Sequence, residues 1–170
     1  TGTAASFLVT GTVTGDSITE LPASDVSANV QTVKAGSIAT YTASTPVAQT
    51  LVKGTTQAHF ATFILDATGS GEDVRVTQMV IADTPTATAA ANELSNVQIY
   101  DEDGNAFSMV GNFDQSTDAT VDTLSYNFSG DDRLVIPKGE TVLVHVMADI
   151  SASAGDGTHV VDLSTITLMG

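Results

Sequence analysis

The sequence predicts an all-β protein: a two-sheet β-sandwich with an N-terminal strand extension. Three observations carry that expectation. Short stretches of alternating apolar and polar residues recur along the chain, with turn-forming Gly, Asp, Asn and Pro between them. Thr and Val are abundant, and their branched side chains pack well on a pleated surface. No segment keeps a convincing helical period, and only "TPTATAAANELSN", residues 84–96, admits a short helical turn. At 170 residues the chain is long enough for one full core and short for two. The expected division is a strand and linker over residues 1–34 and a sandwich domain over 35–170.

The elements follow in order. "ASFLVTGTVTG", residues 5–15, alternates Phe7, Val9 and Val13 on one face, with Gly11 between them, and Ser6, Leu8, Thr10, Thr12 and Thr14 on the other. A Ser-, Thr- and Asp-rich linker follows, with a weak strand over 26–33. Further strands are expected over 37–43, 48–52, 58–67, 73–82, 97–101, 106–111, 121–128, 133–136, 141–150 and 159–168. Within 141–150, Val142, Val144, Val146, Ala148 and Ile150 form an unbroken apolar face, which predicts a central strand. In "EDVRVTQMVIAD" the apolar parity switches from Val74 and Val76 to Met79 and Ile81, the mark of a β-bulge near Gln78. "GSGED", "DEDGN", "SGDD", "PKGE" and "AGDG" specify the turns. That number and spacing of strands suits two packed sheets.

Composition removes several classes of function. Twenty Asp and Glu against five Lys and Arg give a formal net charge of −15. Nucleic acid and anionic membrane surfaces are therefore not expected partners, because a polyanion requires a basic patch. Cysteine is absent, which excludes disulfides, thiol catalysis and Cys-type zinc sites. No apolar run reaches transmembrane length, so no membrane insertion of the mature chain is expected. The start "TGTAAS" lacks Met and predicts a chain exported after leader removal.

Four motifs, taken together, resemble the β-sandwich modules repeated in large prokaryotic cell-surface and S-layer-like proteins. They are "STPVAQTLVKG", "EDVRVT", "SNVQIYDEDG", and "IPKGET" leading into "VMADIS". The resemblance spans roughly residues 35–168. It implies an Ig-like sandwich used as a structural building block of the cell surface, with no catalytic role. In such modules the strand matching "THVVDLSTIT" is usually followed by one more, which completes the sheet. Here the chain stops at "LMG", and a strand of that kind stands at the other end, as residues 5–15. The expected donor-strand interface is therefore Phe7, Leu8, Val9, Gly11 and Val13, received by another copy of the chain. Main-chain hydrogen bonds would supply affinity and alternate side chains would fill pockets. A head-to-tail contact that need not close gives a homopolymer, a pilus-like filament. The rival is an adhesive or spacer module of a larger surface protein, its first strand folded back within one chain. A linker of about twenty residues at roughly 3.3 Å per residue is long enough for that.

Other constellations carry less. Asp101, Asp103 and Asn105 present alternate oxygens around Gly104, which can be read as a calcium loop or as a hairpin turn whose Asp caps its own backbone. The full EF-hand pattern is absent, and no cofactor is required by the sequence. Acidic loops containing Asp66, Asp131, Asp132, Asp149 and Asp156 read as solvated charge, with a shared cation site as the alternative. His59, His145 and His159 fall in expected strands without zinc-type spacing, so they read as sheet-face residues, with cross-strand pairing of two as the alternative. No P-loop and no G-x-S-x-G elbow occurs. With no Trp and three Tyr, an aromatic sugar cleft is not expected either. The chain is read as a non-enzyme.

Overall fold

The computed structural model describes residues 9–10, 12–15, 17–18, 28–130 and 133–169. The chain divides into two compact units, Thr1–Val33 and Lys34–Gly170. In the first, β1 (Val9–Thr10) pairs antiparallel with β2 (Ser17–Ile18), Val9 opposite Ile18 and Thr10 opposite Ser17. Residues 12–14 form the turn between them, and Val13 is 95% exposed. The unbroken strand expected over 5–15 is thus corrected: the chain reverses within it. Gly15 lies at φ +73°, a left-handed conformation that costs a glycine nothing, so the backbone turns there where alternation alone predicted continuation. Phe7, Leu8 and Gly11 lie outside the described residues. Residues 28–33 carry no strand and are exposed, which corrects the described part of the weak strand expected there.

The second unit is all-β, with two antiparallel sheets packed together as in a sandwich. Its strands are β3 (Ala39–Thr42), β4 (Ala58–Asp66), β5 (Val74–Pro85), β6 (Leu94–Tyr100), β7 (Ala106–Gly111), β8 (Asp122–Asn127), β9 (Leu134–Ile136), β10 (Thr141–Ile150) and β11 (His159–Met169). One sheet has the order β3-β4-β10-β6-β7. In the other, β5 has β11 on one edge and β8 then β9 in succession on the opposite edge. The helical turn expected within 84–96 is a single 3-10 turn, Ala91–Glu93.

The core follows from the strand patterns. Val144, Val146 and Ala148 of β10 are buried on the face that the sequence marked as apolar, and β10 runs between β4 and β6 as a central strand. Opposite them stand Val76, Met79 and Ile81 of β5, all fully buried. The parity switch in β5 is a bulge: Gln78 pairs with Thr167 and Val76 with Leu168, leaving Thr77 unmatched. The strand expected over 48–52 does not form. Both edges of β4 are occupied, by β3 and β10, and Pro46 offers no backbone donor to start another pairing. That segment is instead part of a long loop between β3 and β4.

The two sheets are tied by a buried hydrogen bond from the Tyr126 hydroxyl of β8 to the Val97 carbonyl of β6, 2.7 Å. Burial pushes the phenol pKa upward, so the hydroxyl stays a donor throughout the neutral range. Tyr126→Phe should cost about 1–3 kcal/mol, because it strands a buried carbonyl. Urea unfolding with an unchanged m-value checks this.

Candidate functional site

The two sheets differ in width, and the consequence falls on β3 and β11. Thr40 and Thr42 of β3 stand opposite Leu65 and Phe63 of β4, which are almost wholly buried. Paired residues share a face, so these threonines point to the inner side of the sheet. Yet all four residues of β3 are exposed. Among the described residues nothing covers them. On that second sheet, Leu163, Ile166 and Leu168 of β11 stand opposite Ile81, Met79 and Val76, whose burial is complete, but are themselves only half-buried. Among the described residues β11 has one hydrogen-bonded neighbour, β5, so its other edge is free. Among the described residues a partly covered apolar strip therefore runs along β11, and Ile38, just ahead of β3, is likewise half-buried against the core.

A cluster absent from the sequence reading fixes the start of β11. His159 Nδ1 donates to Asp83 Oδ2 at 2.7 Å, and His159 Nε2 lies 3.6 Å from Glu93 Oε2. Asp83 is fully buried, while Glu93 Oε1 accepts the backbone N–H of Gly155 at 2.7 Å. Phe60 of β4 meets the His159 ring edge-on, with centroids 6.5 Å apart. Burial raises the Asp83 pKa, and the His159 bond opposes that rise only in part. Burial disfavours charge on His159 too, but Asp83 and then Glu93 outweigh it and raise the pKa above its usual value. Inward parity from Met79 and Ile81 to Asp83 was the available signal, since a carboxylate on a core face needs a partner. This corner borders a cleft of about 630 Å³, walled by the 46–53 loop, His59, Phe60 and the turn before β11. The Lys53–Asp156 ion pair, 2.8 Å, joins two of those walls.

Asp101, Asp103 and Asn105 are brought together in the β6–β7 turn. Asp101 Oδ1 accepts the backbone N–H groups of Asp103 (3.0 Å) and Asn105 (2.8 Å), and Oδ2 accepts the Asn105 amide at 3.0 Å. The Asn105 side-chain bond, then the backbone donors, hold the Asp101 pKa below the usual carboxylate range. This is the self-capping geometry of a hairpin. The other acidic loops are engaged separately: Asp66 accepts from Thr68, and Asp149 from Gln57 and Asn96. Asp131 and Asp132 lie outside the described residues. Among the described residues, no group of three or more His, Asp or Glu is placed to hold a metal ion. Two histidines do pair across strands, His59 with His145.

No protein-family model, curated protein or solved structure matches this chain. Its reading therefore rests on its own geometry.

The His159 cluster sets a pH dependence. A raised histidine pKa contributes stability that is complete below the unfolded value near 6.5 and lost as pH rises through the folded value. The raised Asp83 pKa acts in the same sense, favouring the fold at lower pH. Denaturant midpoints should thus fall between pH 6 and pH 9. His159→Gln should flatten that slope, and His159→Ala should cost about 3–5 kcal/mol by leaving Asp83 buried and unpaired.

Proposed function

We propose that this protein is a structural subunit of an extracellular, pilus-like filament, built on an Ig-like sandwich and polymerising by donation of its N-terminal strand into a neighbouring copy. The observation that carries this reading is the partly covered strip along β11. A strand laid along that edge would pair with its backbone groups and cover Leu163, Ile166 and Leu168.

The alternating stretch 5–15 suits that place. It matches β11, an 11-residue strand, in length. Phe7, Val9 and Val13 would enter the strip, with Gly11 between them and Leu8 on the opposite face. Each apolar side chain buried in full contributes about 1.5–3 kcal/mol. The β1–β2 hairpin must open for this, and two residue pairs are a small loss, because an isolated hairpin is marginal in water. The partner is another copy of the chain, and the role is not enzymatic. Among the described residues no helix is long and apolar enough to cross a membrane.

Deleting residues 1–15 tests the reading by size-exclusion chromatography and electron microscopy. The truncated chain should stay folded and monomeric, and should capture a synthetic peptide of residues 5–15, while the full chain forms filaments. Assembly by the truncated chain as by the full one would sink the proposal. A full chain that remains monomeric with its first strand protected from hydrogen exchange supports the single-chain pairing instead. Ile166→Asp should block uptake from the acceptor side, since a buried unpaired carboxylate costs several kcal/mol.

Salt supplies a second check. Copies carrying −15 repel one another, and exposed charges are screened over about 8 Å at physiological ionic strength. Light scattering should show assembly strengthening with sodium chloride. A calcium contribution at Asp101, Asp103 and Asn105 would appear as an extra gain that a chelator removes.

A further inference from the structure

We propose that His159 is a proton-operated latch between the 3-10 turn and the start of β11, and that it sets whether the 154–158 wall of the cleft is held in place. The ring stands between two carboxylates. Its Nδ1 faces Asp83 Oδ2 at 2.7 Å, and its Nε2 faces Glu93 Oε2 at 3.6 Å, within ion-pair reach. Both nitrogens thus point at acceptors, and a neutral imidazole has a proton for only one of them. Little water reaches the group: the Asp83 side chain is fully buried, that of His159 is 11% exposed and that of Glu93 16%. Glu93 Oε2 is itself buried and has no hydrogen-bond partner among the described residues. The imidazole is therefore what meets its charge.

Two protons shared between Asp83 and the ring satisfy both sides. The second sits either on the imidazolium beside a carboxylate or on a carboxyl group beside a neutral ring, and in both arrangements Nε2 presents a proton to Glu93. With one proton, Nδ1–H stays on Asp83 and a lone pair on Nε2 faces the Glu93 carboxylate. Two like charges then share a buried corner, and further acids add to them: Asp122 of β8 stands opposite Asp83, and Asp162 lies on β11. From β4, Phe60 brings no charge, and His59 is engaged by Ala61 and Thr62. Lys53, the cation of the cleft wall, is paired with Asp156. Departure of the second proton therefore turns Glu93 away from the ring.

Glu93 is what the latch holds. It ends the 3-10 turn Ala91–Glu93, and its Oε1 accepts the backbone N–H of Gly155 at 2.7 Å. Gly155 belongs to the turn before β11, whose residues 154–158 form one wall of the cleft. When Glu93 swings away, that wall loses its tie at Gly155. Thr88 still holds the Asp156 carbonyl and Thr86 the Thr158 carbonyl, so the release is local and the sheets stay intact. Burial opposes charge on the ring, but Asp83 and then Glu93 outweigh it and raise the His159 pKa. The latch is thus closed below the folded value and opens as pH rises through it.

NMR of the full chain between pH 6 and pH 9 tests the latch. Nitrogen shifts of the His159 ring should show Nε2 losing its proton across that range while Nδ1 keeps its own. The Gly155 amide, corrected for its intrinsic exchange rate, should lose about 10-fold or more in protection beyond any loss at the core amide of Val146, as removal of a hydrogen bond to a charged group requires. Glu93→Gln keeps an acceptor for Gly155 without the charge, and should leave Gly155 protection level over the same range. A ring nitrogen that does not titrate, a loss at Gly155 no larger than at Val146, or a Glu93→Gln chain that keeps the full pH step overturns the proposal. The ring and amide spectra of the unaltered chain decide the matter even where the variant fails to fold.

Discussion

Among the described residues, a sheet of five strands packs against one of four, in which β8 and β9 share one edge of β5, and the wider sheet cannot bury its own edge. That mismatch governs this structure. β4, β10 and β6 find cover, and their inward residues are sealed. β3 lies beyond the margin, so Thr40 and Thr42 face inward and remain wet. β11 closes the narrow sheet and, among the described residues, has no neighbour on its other edge, with Leu163, Ile166 and Leu168 half-covered. Free backbone groups beside an apolar strip are a template for another strand, which proteins usually blunt, cover or use.

The corner where β11 begins is built differently. There the chain buries Asp83 on a core face and compensates it with His159, which Glu93 approaches from the other side. Breaking such a buried pair is costly, although a packed apolar substitute could have served stability equally well. What the cluster does add is connection: β5, β11 and the 3-10 turn meet through one imidazole, and Glu93 ties in the loop at Gly155. The strand that borders the open strip is thereby anchored at its first residue.

Much of the architecture was legible because side-chain period and turn chemistry are local. The two faces of β10, the bulge in β5 and the β6–β7 turn around Asp101 each follow from residues adjacent in sequence. The misreadings share a cause. Residues 48–52 alternate well enough for a strand, but strand formation needs an edge to join, and β4 has none left. Residues 5–15 alternate too, yet Gly15 permits a reversal that alternation does not register. Of the candidate sites, Asp101, Asp103 and Asn105 do come together, as neighbours in one turn must. The pairing of His59 with His145 and Met147, and of His159 with Asp83, joins residues 76 or more positions apart or set by sheet register.

The sequence by itself determined the class of fold, the strands with strong two-residue periodicity, and the strong net acidity. Those properties depend on composition and on neighbours along the chain. Only the tertiary structure decided which strands lie side by side, how many stand in each sheet, and hence which inward faces go uncovered. Strand order and register are set by contacts between distant segments, whose competition for edges no local pattern records.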